Sequence, residues 1–174
     1  MSFVETVRSS FIWKFLLKLQ KALLVLSSCF VVLIMCVAAL LRYVFKTDLF
    51  GIEEIVVIAA FWLYFIGSSY GVYDKSHVKA DIIPQMLSVR AQAFLSVLVN
   101  LTIAALCILF TVWAVDMVWY SYVWMPRTTG LRIPVFISQT SVLFGYALMS
   151  LYAVVYFFED LFSFIAMKKE GASR

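Results

Sequence analysis

Four stretches of this chain are apolar on every side of a helical wheel, and short charged segments separate them. Residues 22–41 and 55–73 hold no charged side chain, a third run is uncharged from 93 to 115, and a fourth extends from 133 to 158. A bilayer's hydrocarbon core is about 30 Å thick and a helix rises about 1.5 Å per residue, so about 20 apolar residues cross it. Each run is long enough, and each is predicted to be a transmembrane helix. None shows the strict alternation of a barrel strand. The first run is longer than the apolar part of a signal peptide and has no small-residue cleavage site after it, so it is read as a span.

Residues 1–21 follow another rule. Lys14, Lys18 and Lys21 recur at helical spacing, with Phe11, Phe15 and Leu19 on a neighbouring stripe. Two readings fit: an amphipathic helix lying in the interface, or a basic flank that orients the first span. The expected fold is an all-α integral membrane protein with four spans, a single domain over 1–174, preceded by this interfacial or basic segment.

Composition agrees. A chain of 174 residues that is 64% hydrophobic and 14% charged has more apolar surface than a soluble domain of this size can bury. The net charge of +4 comes from residues at the ends of the apolar runs, which is the placement of membrane orientation signals and not of a nucleic-acid surface. Ten of the fourteen Lys and Arg residues fall on the side shared by both termini and the 74–92 loop. Arg42, Lys46, Arg127 and Arg132 fall on the other. The positive-inside rule then places the termini and the 74–92 loop in the cytoplasm, and 42–54 and 116–132 outside.

Material for catalysis is scarce. There is one histidine, His77, in a charged loop, where a solvated side chain is the simplest reading. Cys29, Cys36 and Cys107 lie in apolar runs without metal-ligand spacing and are read as small hydrophobes. Phosphate-binding loops and nucleophile elbows are absent, and the middles of the spans hold no ionisable group for an ion or proton relay. The chain is therefore not expected to be an enzyme, nor to hold a cofactor or metal, nor to move a solute by itself. Asp116, in the outer part of the third helix, is the nearest exception, placed to meet Arg127 or Arg132, to help line an external vestibule, or simply to sit in water at the interface.

Other polar positions suggest architecture. Arg42 closes the first span, and Glu53 with Glu54 opens the second, so each charge complements a helix dipole. The connection between them is short enough for Arg42 to reach a glutamate and fix the hairpin. Gly67 and Gly71 form a GxxxG pair that lets another helix approach, with Trp62 on the same helix. Asn100, Thr102, Gln139 and Thr140 are candidates for hydrogen bonds between helices or to their own backbone.

From Arg42 to Asp81 the chain resembles the small membrane subunit (Q type) of tripartite ATP-independent periplasmic, or TRAP, transporters. The resemblance rests on Arg42-Tyr43-Val44-Phe45, Glu53-Glu54, Gly67, and His77-Val78 followed by Asp81, with Pro134 and Gly145 of the fourth span in agreement. Gly51, Tyr73-Asp74 and Leu143 depart from the family's usual residues. The resemblance implies a multi-pass subunit of the bacterial inner membrane in a sodium-coupled importer of organic acids, of the sialic acid or C4-dicarboxylate type. Its implied partners are membrane lipid, a large elevator-type subunit that carries the sodium and substrate sites, and a periplasmic substrate-binding protein. This chain is then expected to be static scaffold, with Lys46, Asp48, Arg127 and Arg132 of the outer loops available to dock the periplasmic protein. The competing reading is a self-sufficient small four-helix transporter or channel that builds its pore by oligomerising.

Overall fold

The computed structural model describes residues 10–47, 50–74 and 88–172, and of residues 12 and 168–172 the backbone alone. Four helices account for nearly all of it: α1 (Phe11–Tyr43), α2 (Ile52–Asp74), α3 (Val89–Trp124) and α4 (Phe136–Ala172). All four are long and apolar enough to cross a membrane, as expected.

Local chemistry sets their ends. Ser88 caps α3, its side-chain oxygen accepting from the Ala91 amide at 3.4 Å. At the other end Met125 takes a left-handed conformation (φ 45°) with its N–H on the Ser121 carbonyl, and Pro126 then forbids another turn. α3 thus runs through the aromatic segment past Asp116 as one helix, longer than the uncharged run. Pro134 precedes α4, where its lack of an N–H costs nothing, and its carbonyl accepts the Ile137 amide at 3.2 Å. α2 starts after Gly51, whose φ of +79° suits glycine, and the Glu54 amide bonds back to the Gly51 carbonyl at 3.1 Å.

Residues 11–21 are the first turns of α1, which continues for 33 residues without interruption. At the crystallographic rise this is about 50 Å of helix, well beyond what the hydrocarbon alone requires.

The helices stand in a row. α4 lies between α3 and α2, and α1 packs on the far side of α2. α4 is consequently the most buried, through Ser141, Met149, Tyr152, Ala153 and Tyr156, whereas α1 and α3 each leave a broad apolar face open.

Small residues permit these contacts. On α3 the buried positions are Ala104, Cys107, Ala114 and Ser121, a heptad-like seam against α4. Two hydrogen bonds cross it: Thr111 Oγ1 to Ser150 Oγ at 3.0 Å, and Asn100 Nδ2 donating to Asp160 Oδ2 at 2.6 Å. α4 and α2 approach closely at Gly145 of α4, where a Cβ would stand 2.7 Å from the Phe65 Cβ and 2.9 Å from the Phe65 carbonyl oxygen. Gly67 instead faces α1, with Leu24 at ordinary contact distance, and Trp62 packs on Phe144 at 6.1 Å between ring centres.

One polar node binds three helices near the end of the row where α1 begins. Gln20 Nε2 donates to Ser69 Oγ at 2.9 Å, Tyr152 OH donates to Gln20 Oε1 at 2.6 Å, and Ser69 Oγ donates to the Ile66 carbonyl at 2.8 Å. Gln20 and Ser69 are buried, so every donor and acceptor counts where no water competes. Trp13 packs edge-on against Tyr152 and Tyr73, Tyr156 OH donates to the Tyr73 carbonyl, and Lys21 Nζ sits 5.5 Å above the Tyr70 ring.

Candidate functional site

At the opposite end of the row lie the described residues 44–47 and 50–51 between α1 and α2, and residues 125–135 between α3 and α4. The latter form a compact hairpin. Arg127 and Pro134 form an antiparallel bridge, the Thr128 amide donates to the Ile133 carbonyl at 3.0 Å, the Val135 amide donates to the Pro126 carbonyl at 2.9 Å, and the Ile133 amide donates to Thr128 Oγ1 at 3.0 Å.

Glu54 reaches into it from the first turn of α2. Its carboxylate accepts from Thr128 Oγ1 at 2.6 Å, from the Gly130 amide at 2.6 Å, from the Leu131 amide at 2.8 Å, and more distantly from Thr129 Oγ1 at 3.5 Å. Bonds to an ionised acceptor are about twice as strong as neutral ones. Two glycines make room for the contact. A Cβ on Gly130 would stand 3.0 Å from Glu54 Oε1, and one on Gly51 would fall 2.4 Å from Leu131 Cγ. Gly51, a departure from the usual family residue, is thus suited both by its backbone angle and by the space Leu131 takes.

The hairpin expected from Arg42 takes another form. Arg42 and Glu53 are exposed, and Glu54 is engaged by the 128–131 segment and not by Arg42. The reason is geometric: backbone amides already held by the turn offer a convergent set of donors, with no long side chain to immobilise. The sequence carried a signal for this in Thr128-Thr129-Gly130, a segment of hydroxyls and a glycine that reads as a turn able to surround an anion.

The other expected residues spread out. Lys46 (φ 55°), Arg127 and Arg132 (φ 56°) are exposed on the two turns, while Asp48 lies outside the described residues. Asp116 is exposed and is paired with neither Arg127 nor Arg132. His77 also lies outside the described residues. Thr102 and Thr140 bond to carbonyls of their own helices, Leu98 and Phe136, whereas Asn100 does join two helices. Gln139 Oε1 is buried without a hydrogen-bond partner among the described residues. Cys29 and Cys36 are exposed on α1, and Cys107 is buried in the α3–α4 seam.

Between the C-terminal half of α1, the start of α2 and Leu131 lies an open cleft of about 520 Å³, with walls that include Phe30, Ile34, Val37, Ile52 and Ile55. Its walls are apolar, so it has no group to orient a hydrophilic solute. No group of three or more His, Cys, Asp or Glu side chains comes together among the described residues.

Two comparisons with known proteins bear on these features. The family described as "Tripartite ATP-independent periplasmic transporters, DctQ component" matches residues 31–163, which takes in the three connections, all of α2 and α3, most of α4 and the last part of α1. No curated protein matches the chain.

Proposed function

The chain belongs to the DctQ component family of tripartite ATP-independent periplasmic transporters, and on that premise we propose that it is the static scaffold subunit of a sodium-coupled organic-acid importer. In this reading a large elevator-type subunit carries the substrate and the sodium ions, and the outer turns of the present chain help receive the periplasmic binding protein.

The observation that carries the scaffold reading is how the spans use their polar groups. Gln20, Ser69 and Tyr152 satisfy one another, and so do Thr111 and Ser150. Asn100 is taken by Asp160. A translocation path needs groups free to exchange their partners for an ion or a carboxylate, and intramembrane sites of that kind are built from ionisable residues facing a cavity. Here Gln20, Ser69, Tyr152, Asn100 and Asp160 hold helices together, Thr140 and Ser141 bond to carbonyls of their own helix, and Gln139, whose Oε1 is buried without a partner among the described residues, is the exception. A row of helices with open apolar faces on α1 and α3 suits a subunit that packs against another membrane protein and lipid.

The outer turns fit a transient partner. Lys46, Arg127 and Arg132 are exposed cations at a rim, where charges steer encounter more than they add affinity. In reconstituted vesicles, uptake of the organic acid is expected to need this chain, the large subunit, the periplasmic protein and a sodium gradient together. Uptake by vesicles holding this chain alone would overturn the scaffold reading in favour of a self-sufficient oligomeric transporter.

A further inference from the structure

We propose that Glu54 is a positioning residue for docking: by gripping the 128–131 segment it fixes the hairpin that presents Arg127 and Arg132, and so shapes the surface offered to an acidic face of the periplasmic protein. This inference rests on the docking role given to the outer turns above.

The geometry singles out Glu54 over its neighbour. Glu53 is exposed, whereas Glu54 gathers donors from four successive residues, Thr128 to Leu131. Arg127 immediately precedes the gripped segment and Arg132 immediately follows it, so both cations are set by the same anchor. Apart from that anchor the hairpin is held by the ends of α3 and α4 and by the apolar contact of Leu131 with Gly51. Its own cross-bonds keep it folded but do not fix its direction relative to α1 and α2. Rim cations work best when their position is settled before the partner arrives, because ordering them on binding costs affinity.

The arrangement is also tuned on the loop side. Thr128 Oγ1 donates to Glu54 and at the same time accepts from the Ile133 amide, so one hydroxyl links the anchor to the hairpin's internal bonding. Gly130 leaves the carboxylate just enough room, since a Cβ would also meet the Phe50 ring at 3.4 Å.

The test uses the complete complex in vesicles, with uptake measured against the concentration of the periplasmic protein. Two variants loosen the grip by different routes: Glu54→Gln removes the charge, and Gly130→Ala displaces the carboxylate while keeping it. Both are expected to raise the half-saturating concentration about tenfold with the maximal rate unchanged. Hydrogen exchange at the Gly130 and Leu131 amides is expected to accelerate in both. Charge reversal of Arg127 and Arg132 serves as the control for docking itself. If that reversal raises the half-saturating concentration while both loosening variants leave it alone, docking stands and the positioning role is overturned. If the reversal has no effect, the docking reading fails and the inference with it. A fall in maximal rate with unchanged half-saturation in the loosening variants would make Glu54 a general support of the fold and would overturn the inference as well.

Discussion

Gly145 shows how much one missing methyl group decides. The backbone of α2 at Phe65 passes so close to it that any side chain would push the two helices apart, and a backbone carbonyl cannot swing aside as a side chain can. Replacing Gly145 with Ala is expected to cost about 1–3 kcal/mol, the usual penalty for overpacking. A lowered Tm of the detergent-solubilised protein measures it. Gly67→Ala is the contrast, because its Cβ would meet only Leu24 at 3.5 Å, and a near-unchanged Tm is expected. The Gly67–Gly71 motif was the more conspicuous in the sequence. Gly145 stood out for family resemblance alone, since no pattern within α4 reveals which glycine another backbone will cross.

The four helices are equally apolar at first sight, yet they play unequal parts. α4 meets α2 and α3 along its length and α1 at the Gln20–Tyr152 node, α2 lies between α1 and α4, and α3 packs on α4 alone. What marks the gripped side of α3 is size: Ala104, Cys107, Ala114 and Ser121 are the positions that disappear, and larger residues between them stay exposed. Without a hydrophobic drive between helices in lipid, close approach and interhelical hydrogen bonds must supply the association. Ala104→Leu or Ala114→Leu is therefore expected to pry α3 from α4 and destabilise the protein by about 1–3 kcal/mol. Ala105→Leu, on the exposed side, is expected to change little. Denaturation in mixed micelles separates the two classes, and equal losses at Ala105 and Ala104 would show that the seam is elsewhere.

At the scale of the whole molecule, the row has two dissimilar ends. One is closed by the Trp13, Gln20, Tyr152 and Tyr156 node, the other by the grip of Glu54 on the 128–131 segment. By the positive-inside rule the second end is expected to face outward. Cysteine placed at Arg132, in a chain whose native cysteines are replaced, is expected to react with a membrane-impermeant thiol reagent in intact spheroplasts, whereas cysteine at Arg90 reacts only after lysis. The reverse pattern would invert the topology and remove the outer turns from any periplasmic partner. The four membrane-length helices and the transporter family were legible in the sequence alone, whereas several helix limits were not: α1 already begins at Phe11, and α3 and α4 run on to Trp124 and Ala172. Length and hydropathy decide whether a segment prefers lipid, and that preference is a property of the segment by itself. The row order, the crossing at Gly145, the small-residue seam of α3 and the partner of Glu54 were decided only in three dimensions. A carboxylate at a helix start favours any donors that converge on it, and the chain brought it the amides of residues 130 and 131, more than seventy positions away, ahead of the nearby guanidinium of Arg42.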